Sequence, residues 1–342
     1  MSLASPLSSA AALAVSLAPV LFFALALALL DGYQLIRLRT VGGLLLQGAA
    51  AAVAALVIHR LLLQHVAIDA TQLARYVAPP LEELLKGVAV LILVRRHRVG
   101  FLVDASISGF AVGAGFAAVE NLQYFHALGD PRLATWLVRG FGTAVMHGGA
   151  TALFALCLKS LNDRHESAGA WIALPGFLIA TVFHSAYNHA FLSPPMSMLL
   201  LLVVLPISFA IVFRASERAT KRWLGVGFDT DTELLEALQS GRVSATRIGN
   251  YLSALEGRFS PAVLVDMVCL IRLHLELSIK AKGMLIAREH GFELPPDPAV
   301  EEHWRELAFL ERSVGRAGLL AMQPIFNLST RDLWQVYYLG RR

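Results

Sequence analysis

The stretch VAPPLEELLKGVAVLILV, residues 77–94, is apolar enough to be buried, yet it holds Glu82, Glu83 and Lys86 within five consecutive residues. A charge placed in hydrocarbon costs a few kcal/mol or more, so ionisable groups in such a segment mark a site or a wet cavity. Whether this stretch crosses a bilayer therefore decides the fold. The surrounding composition favours it. The chain has 342 residues, of which 56% are hydrophobic and only 16% charged, and its mean hydropathy is +0.60. Those values exclude an ordinary soluble domain. Apolar segments run roughly over 8–30, 41–58, 77–94, 101–126, 134–158, 171–191 and 196–213. Each is near the ~20 residues that span a bilayer as a helix. Backbone polar groups have no water partners in lipid, so the spans are helical. The fold class is an all-α, polytopic transmembrane helical bundle of about seven spans.

A formal charge of +4 and a pI near 9.2 could suggest nucleic acid. The placement of the basic residues argues against it. Arg37 and Arg39, then Arg95, Arg96 and Arg98, then Lys159 and Arg164, then Arg214, Arg218, Lys221 and Arg222 occupy alternate connections. The intervening connections are poorer, with Arg60 and Arg75, then Arg132, then none in Leu192-Ser193-Pro194-Pro195. That asymmetry orients the helices, with the N-terminus outside and the C-terminus cytoplasmic. The first apolar run has no basic segment ahead of it, so it reads as a retained helix rather than a cleaved signal. Cys157 and Cys269 are isolated and support no disulfide framework.

After about residue 215 no spanning run remains, which gives two expected domains, a transmembrane bundle at 1–214 and a helical cytoplasmic domain at 215–342. Within the latter, Thr230 to Glu233 resembles a capping box before Leu234. Ser260-Pro261 is a good helix start. Pro295-Pro296-Asp297-Pro298 breaks the pattern.

Three further polar groups recur in the apolar segments: Glu120, His147 and His184. At ~1.5 Å per residue, the topology puts all of these ionisable groups in the middle to outer part of the bilayer, on four different helices. His184 and Asn188 share a helix face, as do His147 and Thr151, and Phe116 and Glu120. Glu82 and Glu83 point about 100° apart, so one of them faces the centre, while Lys86 can pair with either. Gly109, Gly113 and Gly115 offer a small-residue face for close helix packing. Asp104 and Arg139 lie near span ends, where they cap, snorkel or pair. His59, His65, His97, His126 and His274 read as surface or structural groups.

Two chemistries fit. In one, His147, His184 and Glu120 bind zinc with an open position for water, and a glutamate of the Glu82/Glu83 pair takes the proton from that water. In the other there is no metal: a buried glutamate is the general base, and His184 and Asn188 donate hydrogen bonds to the developing oxyanion.

Four motifs in order carry a family resemblance. Glu82-Glu83-Leu84-Leu85-Lys86 matches E-E-x-x-K, and Phe116 to Glu120, followed by Asn121, matches F-x-x-x-E. His147-Gly148-Gly149-Ala150-Thr151 is of the same type, and His184 to Asn188 matches H-x-x-x-N. Over roughly residues 75–192 the chain resembles the PrsW family of membrane-embedded proteases, and more distantly the CAAX-protease/bacteriocin-processing superfamily. The resemblance implies an intramembrane endopeptidase, glutamate-dependent and of metalloprotease type, in a bacterial cytoplasmic (inner) membrane. Glu82, Glu83, Glu120, His147 and His184 would form its catalytic set, with Asn188 in support. The implied substrate is a membrane-anchored protein, of which an anti-sigma-factor-like regulator is the family's example. The 215–342 domain lies outside the match and would recruit a cytoplasmic protein partner. The rival readings are a proton-coupled carrier, since buried carboxylates and histidines also form relays, and a catalytically silent scaffold. The absence of an internal repeat disfavours the carrier.

Overall fold

The computed structural model describes residues 9–29, 36, 38–128, 132–165, 169–292, 297 and 299–326. All regular elements among them are helices, and they divide into two compact units, Met1–Ser216 and Glu217–Arg342.

The first unit begins with α1 (Ser9–Leu29) and α2 (Leu38–His65). A capping box formed by Asp69 and Gln72 starts the short α3 (Ala70–Gln72), which runs through a π-helical turn, Leu73–Val77, into α4 (Ala78–Arg95). Pro79 and Pro80 fall where a helix tolerates them, in its first turn, whose amides have no partner in any case. In α5 (Leu102–Leu128), the Asp104 carboxylate accepts the backbone amides of Gly100 and Phe101, both at 2.6 Å, so this residue is a cap. A short α6 (Leu133–Leu137), a π-helical stretch Val138–Thr143 and α7 (Ala144–Arg164) follow without a break. α8 (Leu174–Asn188) and α9 (Pro194–Gln239) come next.

Five helical stretches are long and apolar enough to cross a membrane: Leu38–His65, Leu102–Ala127, Leu133–Arg164, Ala170–Asn188 and Pro194–Gln239. The other two expected spans are helices as well. One is α1, apolar over Ala14–Leu27. The other is α4, whose 18 residues carry Glu82, Glu83, Lys86 and Arg95, too many charges for a purely apolar span. The chain is a multi-pass membrane protein.

Helix α5 is the centre of the bundle, with every residue from Val103 to Ala117 buried. Its outer neighbours present apolar side chains outward, among them Leu46, Val182 and Ile211, each more than half exposed. That inversion suits a bundle whose solvent is hydrocarbon. Glycines set the helix spacing. A Cβ on Gly48 would lie 1.9 Å from the Val112 carbonyl oxygen, and one on Gly115 would lie 1.9 Å from that of Leu45. On the opposite side of α5, a Cβ on Gly113 would meet the His147 carbonyl oxygen at 2.3 Å, and one on Gly109 that of Thr151 at 2.5 Å. Backbone therefore packs on backbone at α2–α5 and at α5–α7.

In the second unit, α10 (Arg247–Ala254) is capped by Thr246, and α11 (Pro261–Glu289) by Ser260, whose hydroxyl accepts the Val263 amide at 3.4 Å. α12 (Ala299–Phe326) kinks at Gly315. Met267, Leu270, Ile271, Leu307 and Leu310 form much of its core. The expected helix start at Thr230 is absent, because α9 continues unbroken through it. The Thr230 hydroxyl donates back to the Val226 carbonyl at 2.8 Å, which satisfies it inside a helix instead of at a cap. Pro295, Pro296 and Pro298 lie outside the described residues.

Two predictions follow from packing and burial. Gly115→Ala should lower the thermal stability of the detergent-solubilised protein by about 1–3 kcal/mol, because overpacked cores cost that much. Gly43→Ala, which meets nothing within 4 Å, should not. Equal melting of both variants would contradict the glycine account. In the second unit, burial pushes the His274 imidazole from 6.5 down to about 4. The folded chain then keeps this group neutral while the unfolded chain takes up a proton. Its contribution to stability is complete above pH 6.5 and is lost as the pH falls toward 4. The melting temperature should fall less steeply over that window for His274→Gln than for wild type; equal slopes would contradict it.

Candidate active site

Helices α4, α5, α7 and α8 each bring one part of the polar set to a common centre. Glu82, Glu83, Lys86, His147 and His184 are all at most 6% exposed. Such a group is tolerable only if its members satisfy each other. Lys86 Nζ donates to Glu83 Oε1 at 2.6 Å and to His147 Nδ1 at 3.1 Å, and lies 4.6 Å from the Phe116 ring centroid. With Nδ1 accepting, the His147 proton is on Nε2, which donates to Glu120 Oε2 at 2.8 Å. His184 Nδ1 donates to Glu83 Oε1 at 2.9 Å. Of the two adjacent glutamates, Glu83 is thus the paired one.

Glu82 is different. Its Oε2, like Glu83 Oε2, is buried and has no hydrogen-bond partner, and what sets it apart is what it faces. It lies 3.9 Å from His147 Nδ1 and 3.9 Å from His184 Nε2. Each imidazole turns one nitrogen toward Glu82 and holds a carboxylate at the other. The Glu82, His147 and His184 ligand atoms all lie within 4.8 Å of one another. Two nitrogens and one carboxylate oxygen are a zinc-type donor set, and a carboxylate behind each histidine is what fixes a metal-binding tautomer. The donor chemistry and the orphaned Glu82 oxygen therefore fit a divalent ion. Glu120, expected from the sequence beside His147 and His184, lies outside this group of three. The reason is geometric: Glu120 meets His147 at Nε2, away from the nitrogen that faces His184.

A cavity of about 250 Å³ opens onto this cluster, lined by Glu82, Glu120, His147 and His184 together with His59 and Asn188. Asn188 is tied down, with Nδ2 donating to the Ala74 carbonyl at 2.9 Å, so one of its donors braces α8 against the π-helical turn before α4. Thr151 spends its hydroxyl on the His147 carbonyl at 3.0 Å. Sequence reasoning missed His59, whose unpartnered Nε2 sits 3.9 Å from Glu82 Oε1. Its spacing from the buried Ala52 and Ala55, seven and four residues earlier, was the available signal. Arg139, expected to cap, snorkel or pair, is paired: its Nε donates to Asn121 Oδ1 at 3.0 Å and it lies over the Tyr124 ring.

The Lys86–Glu83 pair yields a stability prediction. Lys86→Leu leaves a buried carboxylate short of its cation and should cost about 3–5 kcal/mol in thermal unfolding. Lys86→Leu combined with Glu83→Leu should recover part of that loss. A single variant as stable as wild type would contradict the pairing.

Comparison with known proteins adds one finding. No curated protein and no solved structure matches the chain. A family model described as PrsW family intramembrane metalloprotease matches residues 37–213, slightly more than half of the sequence and the whole of the buried polar cluster. The chain belongs to the PrsW family of intramembrane metalloproteases.

Proposed function

We propose that this protein hydrolyses a peptide bond of a membrane-anchored protein at the cavity bounded by Glu82, Glu120, His147 and His184. The observation that supports it is the convergence of one orphaned carboxylate oxygen and two imidazole nitrogens, each imidazole backed by a carboxylate of its own. Glu82 Oε2, His147 Nδ1 and His184 Nε2 would hold the metal, most naturally zinc. A divalent ion there supplies Lewis-acid polarisation of the scissile carbonyl and acidifies water. Lys86 would then release the His147 lone pair and remain on Glu83. Glu83 keeps the His184 proton on Nδ1. Glu120, the most exposed of the three carboxylates at 18%, borders the cavity and would accept the proton of the attacking water. Glu83 and Lys86 would thereby act on charge and orientation, and the apolar bundle would keep bulk water away from them.

The family points to a bacterial cytoplasmic membrane, and the loop charges favour an N-terminus outside, which would put the cut near the outer leaflet. The unit Glu217–Arg342 would then be cytoplasmic, free to bind a protein partner that governs access to substrate.

The test compares membrane-protein fragments in cells carrying wild type, Glu82→Gln or Glu120→Gln at equal level and equal melting temperature. New termini should accumulate with wild type and fall by at least about 100-fold with either variant, the lower end of what a positioned acid–base group contributes. Fragment sets indistinguishable among the three would contradict the proposal.

A further inference from the structure

A second cavity of about 480 Å³ adjoins the first, and Thr143 and Asn188 line both. Its volume falls within the range of ordinary ligand sites. The walls come from the π-helical stretch Val138–Thr143 and from the segment after α8, including Leu192 and Pro194. The two cavities differ in charge. Glu82, Glu120 and one arginine, Arg60, line the first, whereas the second has Arg132 and Arg139 and no acidic residue among its lining residues.

Arg139 lines the second cavity and neighbours Glu120, which lines the first. Asn121 Oδ1 fixes its Nε at 3.0 Å, and its guanidinium carbon lies 3.6 Å from the Tyr124 ring centroid. Asn121 is itself anchored, donating to the Ser16 carbonyl at 2.8 Å. Arg139 Nη2 is buried and makes no hydrogen bond among the described residues. It is ion-paired with Glu120 Oε1 at 3.7 Å, a separation beyond hydrogen-bond reach. A rigidly held guanidinium with a desolvated, unused donor is costly unless a partner arrives.

We propose that the second cavity receives the substrate polypeptide on one side of the scissile bond, and that Arg139 there pairs with the carboxylate of an aspartate or glutamate side chain. The inference rests on the protease reading. Continuity with the first cavity favours a chain that passes through both. A cavity of this volume is roughly 8 Å across, which admits about two or three residues of extended chain at ~3.3 Å each. The acidic residue should therefore lie within about three positions of the cut.

The test uses the full-length protein in phosphatidylcholine vesicles with a library of single-span peptides randomised in the juxtamembrane stretch, with the cleaved products sequenced. Wild type should enrich acidic residues on one side of the cut by on the order of tenfold, the yield of one charge-assisted hydrogen bond. Arg139→Gln should still cleave, without that enrichment; Arg139→Lys should retain part of it; Arg139→Glu should favour lysine and arginine instead. Cleavage by wild type with no acidic preference, or a preference that survives Arg139→Gln, overturns the inference while leaving the protease reading intact. No cleavage by wild type overturns both. If phosphatidylglycerol added to the vesicles abolishes the Arg139-dependent difference on every peptide, the cavity takes a lipid headgroup and the peptide assignment is wrong.

Discussion

Burying Glu82, Glu83, Lys86, His147 and His184 in an apolar bundle forces each to be satisfied by the others, and the arrangement of the four helices follows from that demand. Lys86 meets it for Glu83 and for one face of His147. Glu120 meets it for the other face of His147, and Glu83 for one face of His184. Glu83 Oε2, His59 Nε2 and Arg139 Nη2 are left without a hydrogen bond, and so is the Glu82 oxygen that faces both imidazoles. Structural ion-pair networks in proteins are normally complete, because half-satisfied ones are expensive. An unpartnered carboxylate oxygen at the point where two imidazole nitrogens converge is what a site for an ion or a reacting water requires.

The network could not close at ordinary interhelical distances. Gly113 lets α5 press against the His147 backbone, and Gly48 and Gly115 let α2 press against the other face of α5. These contacts bring Glu120 within reach of His147, and His59 on α2 to the wall of the same cavity. Packing and chemistry are therefore one requirement here, read at two levels of the structure. The two π-helical stretches lie beside the same region. Leu73–Val77 provides the carbonyl that holds Asn188, and Val138–Thr143 carries Arg139. Such wide turns re-aim side chains that a regular helix would point elsewhere.

Much of this was legible in the sequence. Apolar runs of spanning length announced the bundle, and the ionisable residues inside them announced where its interior chemistry lay. The small-residue face of α5 was visible from the spacing of Gly109, Gly113 and Gly115. Other features were not, because they depend on which nitrogen of an imidazole faces which neighbour. Helical spacing puts Glu120 near His147 without saying that they meet at Nε2, or that Glu82 is the carboxylate facing both imidazoles. His59 read as a loop residue because α2 extends to His65, about two turns past the expected end of the apolar run. Thr230 misled for a similar reason: a residue that favours caps can also satisfy itself within a helix.

The most direct measurement is X-ray absorption at the metal edge of the full-length protein loaded with zinc. The account predicts a bound ion whose nearest ligands include two imidazoles and one carboxylate. Glu82→Gln and His184→Ala should each weaken or abolish binding, and Glu120→Gln should leave the ion in place. An ion held without imidazole, or binding that survives loss of Glu82 and His184 but disappears with Glu120, would contradict it.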